Sequence, residues 1–146
     1  MKILPPVLVM IFTGLMIALG QWLPGPDVVP WPYNWLGAIL IIAGLAVALV
    51  AGQRFHRIGT NIRTFNEPTL MVTDGLFAWS RNPMYLGMAA SLVGLGIALG
   101  TLSPLLIAAA FIVIADRWYI RFEEAAMRRK FGDAYAAYTQ RTRRWL

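Results

Sequence analysis

Apolar and polar segments alternate along the chain, and four of the apolar stretches are long. The first, residues 3–23, is almost uninterrupted and has about the 20 residues that a helix needs to cross the hydrocarbon of a bilayer. The second covers residues 36–52, the third runs from residue 83 to about 99, and the fourth begins with residues 105–115. This pattern predicts an all-α membrane protein with four transmembrane helices.

The segments between these stretches are polar or rich in residues that end helices. Residues 22–35 contain four prolines, which break regular helices, together with tryptophans and a tyrosine that suit the headgroup region. Residues 53–82 carry many charged side chains and therefore lie outside the hydrocarbon. Residues 100–104 (Gly-Thr-Leu-Ser-Pro) indicate a tight turn between the third and fourth helices.

The third and fourth apolar stretches are shorter than a full span. Either the pair forms a hairpin that does not fully cross, or each helix continues past its apolar part into polar contacts buried within the protein. We favour the second interpretation for the fourth helix, because Asp116, Arg117 and Arg121 would be costly against lipid but not around a polar cavity.

Small residues recur along the third helix. Gly87, Ala90, Gly94 and Ala98 are spaced at roughly four residues, a pattern that lets two helices approach closely. We therefore expect this helix to pack tightly against a neighbouring helix.

Composition supports a membrane environment and narrows the chemistry. The chain is 58% hydrophobic and 14% charged, whereas a soluble domain is roughly 45–50% apolar and about 25% charged. Its 146 residues fit one domain, residues 1–146. Cysteine is absent, which excludes disulfides, thiolate metal sites and a cysteine nucleophile. Because His56 is the one histidine, no multi-histidine metal site and no bound metal are expected.

The basic residues predict the orientation in the membrane. With four spans, all thirteen fall on one face, which the positive-inside rule assigns to the cytoplasm together with both termini. They are Lys2, Arg54, Arg57, Arg63, Arg81, Arg117, Arg121, Arg128, Arg129, Lys130, Arg141, Arg143 and Arg144. The net charge of +6 favours anionic headgroups, and nucleic acid is not expected as a partner because these residues flank membrane spans.

The basic C-terminal region predicts an additional helix on the cytoplasmic surface. Aromatic side chains at Phe131, Tyr135, Tyr138 and Trp145 offer it an apolar side. We therefore expect a C-terminal amphipathic cytoplasmic helix that lies on the membrane.

Polar residues gather at two places on the predicted cytoplasmic side, residues 72–87 and 116–138. A helix that begins near Pro83 directs free backbone amides and its positive dipole end toward any ligand above it. Asn82 suits the N-cap position and Pro83 the first helical position. Helix capping alone would also explain this Asn-Pro pair.

These two regions carry motifs that resemble a known family of enzymes. Residues 80–87 (Ser-Arg-Asn-Pro-Met-Tyr-Leu-Gly) resemble the Arg-His-Pro-x-Tyr-x-Gly motif of isoprenylcysteine carboxyl methyltransferases and phospholipid methyltransferases. Residues 74–77 resemble the Gly-Pro-Tyr element before it, and Glu123-Glu124 with Phe131-Gly132, Tyr135 and Tyr138 resemble the end of the family pattern. The resemblance covers roughly residues 59–142, with Asn82 in place of the family histidine and Leu76 in place of the usual proline.

The resemblance implies an integral membrane methyltransferase that takes its methyl group from S-adenosylmethionine and leaves S-adenosylhomocysteine. The donor would lie in a pocket closed by the last two helices and the cytoplasmic tail, and a lipophilic acceptor would enter through a tunnel from the bilayer. The implied location is the inner membrane of a bacterium, with the active site on the cytoplasmic side. The oligomeric state stays open.

The chemistry of this donor assigns roles to the residues of the two motifs. Its carboxylate suits Arg81 or backbone amides near Asn82, and its ammonium and ribose suit Glu123 or Glu124. Because neighbouring helical residues point about 100° apart, we expect one glutamate to bind the donor and the other to pair with an arginine. Apolar walls for the adenine are offered by the candidates Phe77, Trp79, Met84 and Tyr85, beside Gly75.

The acceptor and the class of protein leave alternatives. Arg117 and Arg121 are candidates for orienting an anionic acceptor, or they extend to lipid headgroups. The acceptor could be an isoprenylcysteine carboxylate, a phospholipid amine or a hydrophobic thiol. Two other readings are an NADPH-binding membrane reductase of the sterol-reductase type, which would be a longer protein, and a non-enzymatic helical membrane protein. Cofactor binding distinguishes the three.

Overall fold

The computed structural model of the protein describes residues 3–58 and 69–146, apart from the side chains of His56 and Ile58. These ranges contain no β-strand and are mostly helical. Their elements are α1 (Pro5–Trp22), α2 (Trp35–Ile58), a 3-10 turn (Gly75–Ala78), α3 (Pro83–Leu99), α4 (Leu102–Ile114), a π-helical segment (Ala115–Ile120) and α5 (Arg121–Arg141). Lys2, Arg63 and the first ten residues of the 59–142 core lie outside the described residues.

Two of the helices are long and apolar enough to cross a membrane. They are α1 over Pro5–Trp22 and α2 over Trp35–Phe55, and α3 is a shorter apolar helix. Large apolar side chains on their outer faces are exposed, for example Met10 and Ile42. The first two predicted spans are therefore confirmed as helices of the right length and polarity, and the four-span arrangement stays a prediction.

Helices α2 and α3 are in backbone contact along their length. A Cβ atom built on Gly37 would lie 2.4 Å from the carbonyl oxygen of Gly94, and one built on Gly44 would lie 2.6 Å from that of Gly87. The predicted close approach is thus confirmed for Gly87 and Gly94. The face is completed by buried Ser91, whereas the sequence pattern placed Ala90 there.

A second packing layer joins α1, α3 and α4 into the main apolar core. Phe12 and Phe111 pack edge to face with ring centroids 5.7 Å apart. Leu92 and Met16 are completely enclosed in the same cluster, which also includes Tyr119 of the π-helical segment. The core therefore extends from the apolar helices to the segment that follows them.

The connections lie at two opposite ends of this helix bundle. At one end the α1–α2 loop pairs with the α3–α4 turn, where the amide of Val28 donates to the carbonyl of Gly100 at 2.8 Å and that of Leu102 to Pro26 at 3.1 Å. At the other end, the start of α3 meets the end of the chain, and the Tyr119 hydroxyl donates to the carbonyl of Ile3 at 2.9 Å. The first end carries no basic residue, as the charge analysis requires of a non-cytoplasmic side.

The fourth helix does not stop where its apolar part ends. It continues from α4 through the π-helical segment into α5, which has a non-helical residue at Gly132 (φ 46°, ψ −120°). The prediction of a continuing fourth helix is confirmed. The prediction that Tyr135 and Tyr138 form a membrane-facing apolar side is wrong, because both are buried within the protein, where the Tyr138 hydroxyl finds a backbone partner.

Candidate functional site

The start of α3 faces the first turn of α5 across a buried ion pair. The Arg81 guanidinium donates through Nη2 to Oε1 of Glu124 at 3.0 Å, and both side chains are largely buried. Four residues after Arg81, the Tyr85 hydroxyl donates to Oε1 of Glu123 at 2.7 Å. The two polar regions of the sequence therefore meet at one end of the bundle, with each glutamate contacting one residue of the 81–85 corner.

Glu124 is the most enclosed carboxylate of the described residues, with 3% of its surface exposed. Besides Arg81 it accepts two hydrogen bonds from Arg144, at 3.1 Å on Oε1 and 2.6 Å on Oε2, and Arg128 lies 3.7 Å away. Burial acts to raise the pKa of Glu124, but the hydrogen bonds and charges of Arg144 and Arg81 outweigh it and lower the pKa. Glu124 is therefore ionised at neutral pH and fully engaged by guanidinium groups.

Residues 142–146, which we call the tail segment, lie beside the start of α3. The amide of Arg81 donates to the carbonyl of Arg143 at 2.9 Å, and Nδ2 of Asn82 donates to the carbonyl of Arg144 at 3.0 Å. Nη1 of Arg81 also donates to the carbonyl of Thr142 at 2.5 Å. Backbone pairing and side-chain bonds thus attach the tail segment to the same corner that contacts Glu124.

The tail segment is anchored a second time on the π-helical segment. Nη1 of Arg144 lies 3.3 Å from Oδ1 of Asp116, and the Trp145 indole donates to the same oxygen at 3.0 Å. Burial acts to raise the pKa of Asp116, but Trp145 and the nearby arginines outweigh it and lower the pKa. The result is a row of alternating charges, Arg81, Glu124, Arg144 and Asp116, which we call the charge row.

The 3-10 turn is tied to α5 and α2. Gly75 opens it with a positive φ of 58°, which favours glycine. Phe77 is buried, packs edge to face on Phe55 at 4.9 Å, and accepts a hydrogen bond at its carbonyl from the Tyr138 hydroxyl at 2.5 Å. Burial raises the pKa of Tyr138 to about 12, so its hydroxyl stays protonated and remains a donor. Gly75 and Phe77 also line a cleft against the end of α2.

The structure brings together most of the candidate residues, but not all of them. Arg81, Asn82, Tyr85, Glu123 and Glu124 form one contiguous group, and Phe77 is connected to that group through Tyr138.

Arg117 and Arg121, the candidates for orienting the acceptor, lie elsewhere. Both side chains are exposed on the outer face of the helix, and Arg117 has Asp116 as its ion-pair partner at 3.7 Å. Trp79, a candidate wall for the adenine, is 80% exposed. The geometry therefore favours the headgroup reading of the two arginines over a role in the site.

Asn82 occupies the N-cap position of α3, as predicted, but its side chain does not cap the helix. Its Nδ2 donates to the tail segment instead, and its backbone amide donates to the Ser80 hydroxyl oxygen at 3.1 Å. The amide group of asparagine can donate where an acceptor carbonyl is offered, which explains the choice of partner.

Sequence reasoning did not identify Arg144, Trp145 and Asp116 as site residues. Arg144 is one of thirteen basic residues, eight of which follow residue 116, and nothing in the local pattern separates it from Arg143. Its neighbour Trp145 resembled an ordinary interfacial aromatic residue. These residues join the site because the tail segment folds back onto the start of α3, and no local sequence pattern predicts that contact.

Comparisons with known proteins identify a family and two relatives. The profile of the phospholipid methyltransferase family matches residues 33–134. The protein-S-isoprenylcysteine O-methyltransferase of Schizosaccharomyces pombe is 33% identical over 94 residues, which is 62% of this chain and 38% of that relative. An uncharacterised protein of Haemophilus influenzae is 36% identical over 63 residues, 43% of this chain and 100% of that protein. No solved structure matches the chain significantly.

The chain therefore spans less than half the length of its yeast relative. The family match, in contrast, covers well over half of the chain and includes the α3 corner and both glutamates. The resemblance deduced from the motifs is confirmed, and the chain belongs to the phospholipid methyltransferase family.

Proposed function

We propose that this protein transfers a methyl group from S-adenosylmethionine to a lipophilic acceptor at the membrane surface. The observation that carries the proposal is the contact of the Arg81–Tyr85 corner with Glu123 and Glu124. These are the two motifs that the family shares, and they meet at one end of an apolar helix bundle. A charged donor can enter this end from water, and an apolar acceptor can enter it from the bilayer.

The side chains present fit the charged groups of this donor. The Nε–H of Arg81 is buried and meets no hydrogen-bond acceptor within residues 3–58 and 69–146, so a ligand carboxylate would satisfy it. The first amides of α3 offer further donors beside it. The donor carboxylate is therefore assigned to the Arg81 corner.

The two glutamates are assigned different roles. Glu124 already accepts bonds from Arg81 and Arg144 and is almost completely enclosed, so it has little capacity left for a ligand. Glu123 is only partly buried and contacts the Tyr85 hydroxyl. We assign the ammonium or ribose hydroxyls of the donor to Glu123, and we assign Glu124 to holding Arg81 in place.

Apolar walls for the adenine are assigned to Tyr85 and Phe77, with Gly75 leaving room in the turn. A Cβ atom built on Gly75 would meet nothing within 4 Å, so the space beside it is open. Met84, which packs with the same small cluster as Phe77, completes this apolar side.

The donor would supply a methyl group bound to a sulfonium. A lone pair of the acceptor would attack the methyl carbon in line, and the carbon–sulfur bond would break with its electron pair left on the sulfur. Such a step gains most from alignment and exclusion of water. A carboxylate or thiolate acceptor needs no base. A protonated amine must first lose a proton, and we assign its acceptance to the carboxylate of Glu123, which the Tyr85 hydroxyl contacts.

The same proposal includes four membrane crossings with both termini in the cytoplasm and the site at the inner leaflet of a bacterial inner membrane. It is supported by the two ends of the bundle, since the end without basic residues is formed by the α1–α2 loop and the α3–α4 turn. The acceptor would reach the site laterally from the lipid.

Binding of the donor by purified protein in detergent tests the proposal. We expect saturable binding of tritiated S-adenosylmethionine that unlabelled S-adenosylhomocysteine displaces, and a loss of at least tenfold in affinity for Glu123→Gln, about 1.4 kcal/mol. The described residues include no exposed glutamate that could serve as a control. The control is therefore Asp133→Asn, which removes the charge of an exposed carboxylate farther along α5. Saturable NADPH binding alone would support a reductase, and binding of neither would leave a non-enzymatic protein.

The acceptor is sought by incubating lipid extracts with the enzyme and labelled donor. We expect the label in an ester, amine or thioether of a lipophilic molecule. Transfer to water-soluble acceptors alone would contradict the lipophilic class.

A further inference from the structure

Arg144 is held at the centre of the charge row by contacts from three directions. Its guanidinium reaches Glu124 in α5 at 2.6 Å and Asp116 in the π-helical segment at 3.3 Å. Its own carbonyl accepts the side-chain amide of Asn82 at 3.0 Å and faces the Ser80 hydroxyl at 3.4 Å. No other described arginine connects α3, the π-helical segment and α5 in this way.

We infer that Arg144 is a positioning residue of the donor site, whose side chain acts through Glu124 on the Arg81 corner. The inference rests on the proposed function. Glu124 Oε1 receives both Arg81 and Arg144, so the position of Glu124, and with it the direction of the Arg81 guanidinium, depends on Arg144. The tail segment is thereby part of the site.

The alternative is that Arg144 occupies a place that the donor must take. The contacts favour positioning, because the Arg144 guanidinium binds both Glu124 and Asp116, and its displacement would leave each carboxylate without that partner. The backbone on either side is also fixed, by the bond from Asn82 to the Arg144 carbonyl and by Trp145, which packs against the main core and donates to Asp116. A ligand the size of the donor would have to replace all of these contacts.

The test compares Arg144→Gln with Arg141→Gln, an exposed arginine three residues earlier in the chain. Binding of tritiated S-adenosylmethionine and thermal unfolding are measured on both variants and on the unaltered protein. We expect Arg144→Gln to weaken donor binding at least tenfold and Arg141→Gln to leave it unchanged. Arg144→Lys should recover part of the affinity, since lysine keeps the charge but loses the forked geometry.

A double variant tests whether Arg144 acts through Glu124. If it does, the donor affinity of the double variant Glu124→Gln/Arg144→Gln equals that of the single variant with the lower affinity. Losses that multiply would show independent action and would overturn the inference. Where Arg144→Gln does not fold, Asp116→Asn loosens the outer anchor only, and we expect it to weaken donor binding by two- to fivefold.

Three results would overturn the inference. Donor affinity equal to that of the unaltered protein, with only a lower unfolding temperature, would make Arg144 merely structural. Tighter binding by Arg144→Gln would make it a competitor of the donor. Absence of binding by the unaltered protein would remove the proposed function and the inference with it, whereas the first two results leave the proposed function standing.

Discussion

The contact between α2 and α3 sets the position of the Arg81–Tyr85 corner, and a single methyl group can test it. Gly44 of α2 and Gly87 of α3 face each other across this contact, and Gly87 follows Tyr85 by two residues. In Gly44→Ala, the new Cβ would lie 2.6 Å from the Gly87 carbonyl oxygen and 2.6 Å from the amide nitrogen of Ser91. Both are backbone atoms, so no side-chain rotation relieves the clash.

The magnitude follows from these distances. Ordinary contact begins at 3.4 Å, so the helices must separate by about 0.8 Å at this level. Overpacking of this kind costs about 1–3 kcal/mol, and the better helix propensity of alanine returns at most about 1 kcal/mol. The net loss is therefore about 1 kcal/mol, which lowers the unfolding temperature of a domain of this size by roughly 2–4 °C.

Gly14→Ala in α1 is the matched control, because a Cβ there meets nothing within 4 Å and only the helix propensity changes. Thermal unfolding in detergent, followed by tryptophan fluorescence, should place Gly44→Ala below the unaltered protein and Gly14→Ala at or slightly above it. Misplacement of a reacting group by about 1 Å can reduce a rate by about 100-fold. The rate of methyl transfer by Gly44→Ala should therefore fall by a larger factor than the loss of folding stability alone would cause. If both variants unfold at the same temperature, the backbone contact between α2 and α3 is not as close as the structure has it.

Three further changes test the site. Arg144 and Arg81 lower the pKa of Glu124 against the effect of burial. The difference in unfolding free energy between the unaltered protein and Glu124→Gln should therefore be complete above about pH 4.5, the ordinary pKa of glutamate, and should decline as pH falls through the lowered pKa. Thermal unfolding across a pH series measures this difference. Tyr138→Phe should cost about 1 kcal/mol through loss of the bond to the Phe77 carbonyl, and this cost should not change between pH 7 and pH 9, because both the ordinary pKa of tyrosine, 10.0, and the raised pKa of Tyr138, about 12, lie above that range. Arg117→Gln and Arg121→Gln should each leave donor affinity in the binding assay unchanged, because both side chains are exposed and Arg117 approaches the charge row only at Asp116, its outer end, at 3.7 Å; a tenfold loss in either variant would restore them to the site.

The sequence was sufficient where the pattern is local or where a motif is shared with relatives. Residues 3–23 and 36–52 predicted α1 and α2 from length and hydropathy alone. The glycine spacing predicted a close helix pair but missed Ser91, since a small polar residue looks unremarkable in an apolar stretch. The meeting of Arg81 with Glu124 was expected from the motifs, not from physics, because 43 residues separate the two.

The contacts of the tail segment could not be read in the same way. Hydrophobic pattern and charge both assigned Tyr138 and Trp145 to the membrane surface, and each has an apolar body with one polar atom. What decides their position is a partner for that polar atom. The Tyr138 hydroxyl finds the Phe77 carbonyl and the Trp145 indole finds Asp116, and both partners come from distant parts of the chain.

The π-helical segment changes which residues of the fourth helix face inward. In an unbroken α-helix, the positions that follow Phe111 and Ala115 on the same face are Trp118 and Phe122, both aromatic. In the structure these two are 68% and 41% exposed, and the buried side chains are Tyr119, Ile120 and Glu124.

A π-helical turn takes one residue more than an α-helical turn, so it moves the inward face of all that follows by about one position. That shift turns a carboxylate pair toward Arg81 and Tyr85 and turns two aromatic side chains outward. The exchange would be unfavourable in water, but aromatic side chains are well accommodated at the membrane interface. The departure from the apolar pattern therefore lies at the segment that carries Asp116 of the charge row, and the π-helical turn that causes it also turns Glu123 and Glu124 toward the start of α3.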